Sequence, residues 1–168
     1  MMAPRLVFVG PPGSGKSTIV RLVADRWSTT WRDTDDDIEA LAGASIGDIF
    51  IDRGEARFRK LEAAAVAAAL REHDGVLAVG GGAILDERTR ALLEPERVVF
   101  LDVDITDAAK RIGFNRDRPL LLGNPRAQWI RLMAARRPLY EQVATYTVTT
   151  DGKSPEKVAD EVVARVSA

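Results

Sequence analysis

The chain has 168 residues, 46% of them hydrophobic, with 24 Lys and Arg against 25 Asp and Glu and a net charge of −1. That length fits one domain, residues 1–168, with enough apolar residues for a core, and the balanced charge lacks the basic footprint of a nucleic-acid binder. The absence of Cys excludes disulfides and thiolate zinc sites, and a single His, His73, argues against a His-based metal site or triad.

Residues 6–9 (Leu-Val-Phe-Val) form an apolar run that predicts a buried strand. Gly10-Pro11-Pro12-Gly13-Ser14-Gly15-Lys16-Ser17-Thr18 follows, matching the phosphate-binding pattern G-x-x-x-x-G-K-[ST] in full. A helix is predicted over 16–27. Strand, glycine loop and helix N-terminus together converge backbone N–H groups on an anion. Lys16 then offers charge to β- and γ-phosphates, and Ser17 offers a hydroxyl to Mg²⁺. A second strand is predicted over 29–33, ending in Asp33-Thr34-Asp35-Asp36-Asp37. Asp33 and Asp35 can serve a hydrated Mg²⁺ and an attacking hydroxyl. Taken alone, the run equally suits a helix N-cap with an acidic first turn, and a helix over 35–42 follows.

A long helix is predicted over 54–73. It opens with Gly54-Glu55-Ala56-Arg57-Phe58-Arg59-Lys60-Leu61-Glu62, whose (i, i+4) and (i, i+3) pairs read as an ordinary charged face, with Phe58 in the core. Its alanine-rich stretch 61–70 is too short to span a membrane, and His73 at its end is expected to face solvent. A third strand over 76–79 runs into Gly80-Gly81-Gly82, which makes sense where backbone must approach a ligand closely. Helices over 86–93 and 105–112 flank a strand over 98–101. Residues 113–125 form an irregular segment containing Arg116 and Arg118, expected to act as a lid over transferred phosphate. A helix over 126–142 ends near Arg136-Arg137-Pro138-Leu139-Tyr140; a weaker strand over 146–149 and a helix over 155–166 follow.

Strands alternating with helices predict an α/β fold: a three-layer α/β/α arrangement on a five-stranded parallel sheet. Its ligands bind beyond the carboxyl ends of the strands. The phosphate loop, the Asp pair and the glycine run each follow a strand, so all three are expected to meet in one cleft.

These motifs together resemble the shikimate kinase family. Residues 10–18, Asp33-Thr34-Asp35, Gly54-Glu55 with Phe58-Arg59 and Glu62, Gly80-Gly81-Gly82-Ala83, Asn115 with Arg118-Pro119-Leu120-Leu121, and Arg136 with Pro138-Leu139-Tyr140 occur in the family's order and spacing. The resemblance implies a nucleoside monophosphate kinase-like fold with a substrate-binding helical region at about 35–62. It implies ATP-dependent phosphorylation of the 3-hydroxyl of shikimate, a step toward chorismate and the aromatic amino acids. Gly13, Ser14, Gly15, Lys16, Ser17, Thr18 and Arg118 are then nucleotide-binding, with Arg111 and Pro155 at the adenine. Ser17 and Asp33 are metal-binding. Asp35, Arg59, Gly81, Gly82 and Arg136 bind shikimate, with Arg59 and Arg136 on its carboxylate. Lys16, Asp35 and Arg118 are catalytic, Asp35 as base. Three features depart from the family pattern: Arg32 precedes the Asp pair where an apolar residue is usual, the segment 121–128 is compact, and Arg137 doubles Arg136. ATP and shikimate are the expected partners, with no nucleic acid or membrane. The chain has no secretory pattern at its start, so a cytoplasmic location is expected; with no apparent dimerisation element, so is a monomer. A gluconate-type kinase and a non-catalytic nucleotide-binding regulator are the competing readings; the glycine run and the Arg59/Arg136 pair argue against the first, and retention of Asp35, Arg59 and Arg118 against the second.

Overall fold

The computed structural model describes residues 6–113 and 124–167. The lid expectation on 113–125 therefore falls almost entirely outside the described residues, and Arg118 and Asn115 with it. Five parallel strands form one sheet in the order β2-β3-β1-β4-β5. They are β1 (Leu6–Val9), β2 (Trp31–Asp33), β3 (Val76–Ala78), β4 (Val98–Asp102) and β5 (Tyr146–Thr149). β1 is central, pairing Phe8 with Ala78 on one side and with Val99 on the other.

The period-two alternation of these strands sorts their side chains onto two faces. Val7, Val9, Leu77, Val79, Val98 and Phe100 pack with residues of α4 (Glu55–Glu72), α5 (Glu87–Leu93), α6 (Ile105–Ile112) and α7 (Pro125–Val143). Leu6, Phe8, Val76, Ala78, Val99, Leu101 and Val148 pack with α1 (Lys16–Arg26) and α8 (Pro155–Ser167). Burial of both faces explains why β1, β3 and β4 read as continuous apolar runs rather than alternating ones.

The expected helices are present within a residue or two of their sequence bounds, with α2 at Thr34–Ala42. One helix, α3 (Ile46–Arg53), was not foreseen. Its signal is local: the Ser45 hydroxyl caps it by accepting from the Asp48 N–H at 3.1 Å, and Ile46, Ile49 and Phe50 form an i, i+3, i+4 stripe. Glu39 accepts from the Ile46 N–H at 2.9 Å, tying α3 to α2. A 3-10 turn, Ala83–Leu85, also precedes α5.

Two other expectations change. His73 is half-buried rather than solvent-facing, with a ring nitrogen 3.2 Å from the Val76 carbonyl at the turn into β3. Arg32 sits in β2, an edge strand, where it pairs with Asp37 at 2.7 Å and Glu72 at 3.0 Å. An edge strand covered by its own ion pairs does not need the apolar residue that the family pattern has there.

Ile38, Ile49 and Phe58 form a small core of their own between α2, α3 and α4, apart from the two sheet faces. Ile49→Ala is expected to cost about 2–5 kcal/mol locally. Hydrogen exchange in residues 34–53 should quicken far more than in β1; uniform quickening across both would show that this core is not a separate unit.

Candidate functional site

The loop after β1 closes into α1 through Gly15, which caps the helix at φ +82°, a conformation glycine adopts freely. α1 has no side-chain cap at its N-terminus. Its first N–H groups are therefore presented to whatever anion the loop encloses. Carbonyls of the loop are held by the side chain of Lys16 and by two from elsewhere in the chain. Lys16 Nζ donates to Gly10 O at 3.0 Å, Trp129 Nε1 to Pro12 O at 3.0 Å, and Arg111 Nη1 to Gly13 O at 2.9 Å. Arg111 also donates to the hydroxyl and carbonyl of Thr150 at 2.9 and 3.1 Å, stitching the loop to the end of β5.

A cavity of about 520 Å³ lies against this loop. Gly13, Ser14, Gly15, Lys16, Ser17, Thr18, Arg111 and Pro155 all line it, so the structure brings together the expected nucleotide residues that fall within the described chain. Thr150 and Lys153 line it as well and were not foreseen. Lys153 is held by Glu161 at 2.9 Å and the Thr149 carbonyl at 2.9 Å. Ser14 is buried and its hydroxyl has no hydrogen-bond partner among the described residues.

The second half of the site is built around the ends of β2 and β3. Asp33 takes the N-cap role that the sequence left open and also faces Ser17. One carboxylate oxygen caps α2 by accepting from the Asp35 N–H at 2.9 Å, and the other accepts from the Ser17 hydroxyl at 3.4 Å. The two residues assigned to Mg²⁺ are thus adjacent hard oxygen donors, a set that fits that ion. A second acidic group, Asp104, Asp107 and Asp151, is occupied with backbone N–H groups around the start of α6.

The glycine run brings backbone against side chains that a Cβ would displace. A Cβ on Gly80 would lie 2.6 Å from Asp35 Oδ1 and 2.9 Å from Glu62 Oε2, and one on Gly82 would lie 2.7 Å from Arg59 Cζ. Thr34, fully buried, holds the Gly80 N–H through its hydroxyl at 3.2 Å. Arg59 is fixed by Glu62, whose carboxylate is 3% exposed and accepts from Nη1 at 2.8 Å, and it lies 5.2 Å above the Phe58 ring. Glu55 sits 3.5 Å from Arg59 Nε, close enough for charge attraction but too far for the hydrogen bond that this buried nitrogen lacks.

The two adjacent arginines differ in partner. Arg137 makes a two-pronged pair with Asp102 at 2.8 and 2.9 Å, so its guanidinium is engaged at the end of β4. Arg136 makes no ion pair among the described residues, and its Nη1 lies 3.6 Å from where a Gly81 Cβ would be. Its charge is felt by Lys16, Glu62 and Tyr140.

Burial governs the electrostatics. It pushes the Asp35 carboxyl up to about 6, with neighbouring Asp33 adding to the rise, Lys16 opposing it, and Glu62 and Glu39 reinforcing it. Asp33 and Glu62 are raised for the same first reason. Burial lowers Lys16, although Asp35 and Asp33 pull it back up. A carboxylate ionised near neutrality beside a desolvated lysine can orient or accept a proton from a hydroxyl aimed at a phosphate.

A family model described as shikimate kinase matches residues 12–167. A shikimate kinase of Streptomyces coelicolor is 59% identical over 158 residues, 94% of this chain and 92% of its own. One from Streptomyces avermitilis is 57% identical over 163 residues, 97% of this chain and 95% of its own. Among solved structures, shikimate kinase from Acinetobacter baumannii in complex with shikimate superposes with a TM-score of 0.90 at 33% identity, covering 98% of this chain and 93% of that one. The Aquifex aeolicus shikimate kinase gives 0.81 at 28%, covering 97% and 96%.

Asp35 holds its proton more tightly folded than unfolded, so between pH 3.8 and about 6 the folded chain binds more protons and stability falls as pH rises. Asp35→Asn removes this penalty. It should raise the melting temperature by about 2–6 °C at pH 8 and leave it nearly unchanged at pH 4; a lower melting temperature at pH 8 would contradict the assignment of burial as the dominant cause.

Proposed function

This chain belongs to the shikimate kinase family, and from that premise we propose that it transfers the γ-phosphoryl group of ATP to the 3-hydroxyl of shikimate, a step toward chorismate and the aromatic amino acids. The observation that carries this is the facing arrangement at the carboxyl edge of the sheet. Lys16 and the Asp35 carboxylate feel each other's charge there, and Arg136 lies next to Gly81 and Arg59 next to Gly82. Phosphate-binding groups stand on one side and carboxylate-binding groups on the other, with a potential base between.

In this reading the loop from Gly13 to Thr18 binds the ATP phosphates through backbone N–H groups, and the base lies between Arg111 and Pro155. Lys16 leaves the Gly10 carbonyl for the β- and γ-phosphates, which restore the charge that burial disfavours. Ser17 and Asp33 would hold Mg²⁺, which would neutralise phosphate charge. Arg59 and Arg136 take the shikimate carboxylate; Arg59 enters already aimed by Glu62, while Arg136 has no carboxylate partner among the described residues to give up. The Gly81 and Gly82 backbone fits the ring closely because it carries no side chains. Asp35 accepts the hydrogen bond of the 3-hydroxyl, aims its oxygen and receives its proton. Phosphoryl transfer asks for positioning and charge neutralisation more than covalent help, so aiming is the larger part of Asp35's contribution. Arg118, outside the described residues, completes the neutralisation in this reading.

ADP release measured with Mg-ATP alone, with shikimate and with gluconate tests the proposal. Release that depends on shikimate supports it. Release with gluconate but not shikimate would replace it with the gluconate-type reading, and ATP binding without release on any acid would favour the regulator.

Two variants separate the halves of the site. Lys16→Ala should lower kcat by about 10³-fold or more with an unchanged fold. Arg136→Ala should raise KM for shikimate at least about tenfold, with KM for ATP nearly unchanged; loss confined to ATP affinity would mean Arg136 is misplaced. The rate with shikimate should fall as pH drops through about 6, where Asp35 takes up its proton.

A further inference from the structure

Tyr140 is fully buried, yet its hydroxyl reaches the site. Its ring stacks on Phe100 with centroids 5.0 Å apart and an interplanar angle of 24°, which fixes the body of the side chain. Its hydroxyl donates to the Gly81 carbonyl at 2.6 Å. Because the peptide is planar and trans, a Gly81 carbonyl held toward Tyr140 turns the N–H of Gly82 to the opposite side. Among the described residues, neither the Gly81 nor the Gly82 N–H meets an acceptor in the chain, although Gly82 is buried. Buried backbone donors are nearly always satisfied, so this pair is shaped for a ligand. Tyr140 also stands one helical turn beyond Arg136 on α7, on the same face, and Arg136 Nη1 borders the Gly81 backbone.

We propose that Tyr140 is a positioning residue for the acid substrate: its hydroxyl fixes the Gly81–Gly82 peptide and, together with it, the placement of Arg136. This role rests on the proposed function, because the donors it aims are those assigned to shikimate. It adds a residue from α7 that touches neither substrate and acts through the two groups that do. Burial pushes the phenol up to about 12, with Arg136 opposing, so it remains a neutral donor across the working pH range. An ordinary core tyrosine would share the stacking on Phe100, but its loss would not fall on one substrate alone.

Tyr140→Phe keeps the stack and removes only the hydroxyl. Steady-state kinetics and calorimetric titration with shikimate should show KM and Kd for shikimate raised about tenfold, the size expected for one lost buried hydrogen bond, with KM for ATP within about twofold. A crystal structure of the variant should show the Gly81 carbonyl turned from its present direction. Val143→Ala, a truncation in the same core, should lower the melting temperature and leave KM for shikimate unchanged. Shikimate KM and Kd within about twofold of wild type in Tyr140→Phe, or equal losses for both substrates, would overturn the role while leaving the kinase reading intact. A wild-type chain that does not bind shikimate would overturn both.

Discussion

The site depends on β1 having a parallel neighbour on each side. β3 and β4 flank it in register, so the chain leaves β1 at the point where the strand order reverses. At that switch point the carboxyl edge opens a crevice. The phosphate loop follows β1, the aspartates follow β2 and the glycine run follows β3. Parallel strands deliver all three to the same edge, and no side chain has to reach far. The two apolar faces of the sheet fill with helices and hold that edge in place.

Charge is the cost of this arrangement. Lys16, Asp33, Asp35, Glu62, Arg59 and Arg136 occupy a small, partly desolvated volume. Burial raises the three carboxyls and lowers the lysine. The chain offsets part of this internally, with Asp33 capping α2 and Glu62 holding Arg59. Among the described residues part is left open: Arg136 has no ion-pair partner, and the Gly81 and Gly82 N–H groups meet no acceptor. A ligand bearing one carboxylate and several hydroxyls answers those openings, and nucleotide phosphates answer Lys16. The same residues that make the empty site less stable thus give it affinity and direction.

Most of this was legible in the sequence because it is carried by residues whose meaning is local. The phosphate loop, Asp33 with Asp35 and the glycine run each follow an apolar strand, and their convergence needs only topology. Arg59 and Arg136 were legible only through family resemblance, since a helix face with charges looks the same whether or not it grips a ligand. Arg136 was chosen over Arg137 on the family spacing; the partner that engages Arg137, Asp102, is thirty-five positions away and was not legible. Tyr140, Trp129 and Thr34 act by long-range hydrogen bonds with backbone groups, which no spacing rule reveals. α3 had a readable cap and stripe, but Gly47 in its first turn weakened the helical signal. Arg32, a departure from the family pattern, is accommodated on the edge strand by Asp37 and Glu72, a pairing that depends on how α2 and α4 pack.

The central claim is that the two halves of the carboxyl edge hold the two substrates face to face. A crystal structure with shikimate and a non-hydrolysable ATP analogue tests it most directly. The account predicts the shikimate carboxylate on Arg59 and Arg136, with the 3-hydroxyl between Asp35 and the γ-phosphate in line for attack. Shikimate bound with its carboxylate toward Lys16, or outside the Gly80–Gly82 turn, would contradict it.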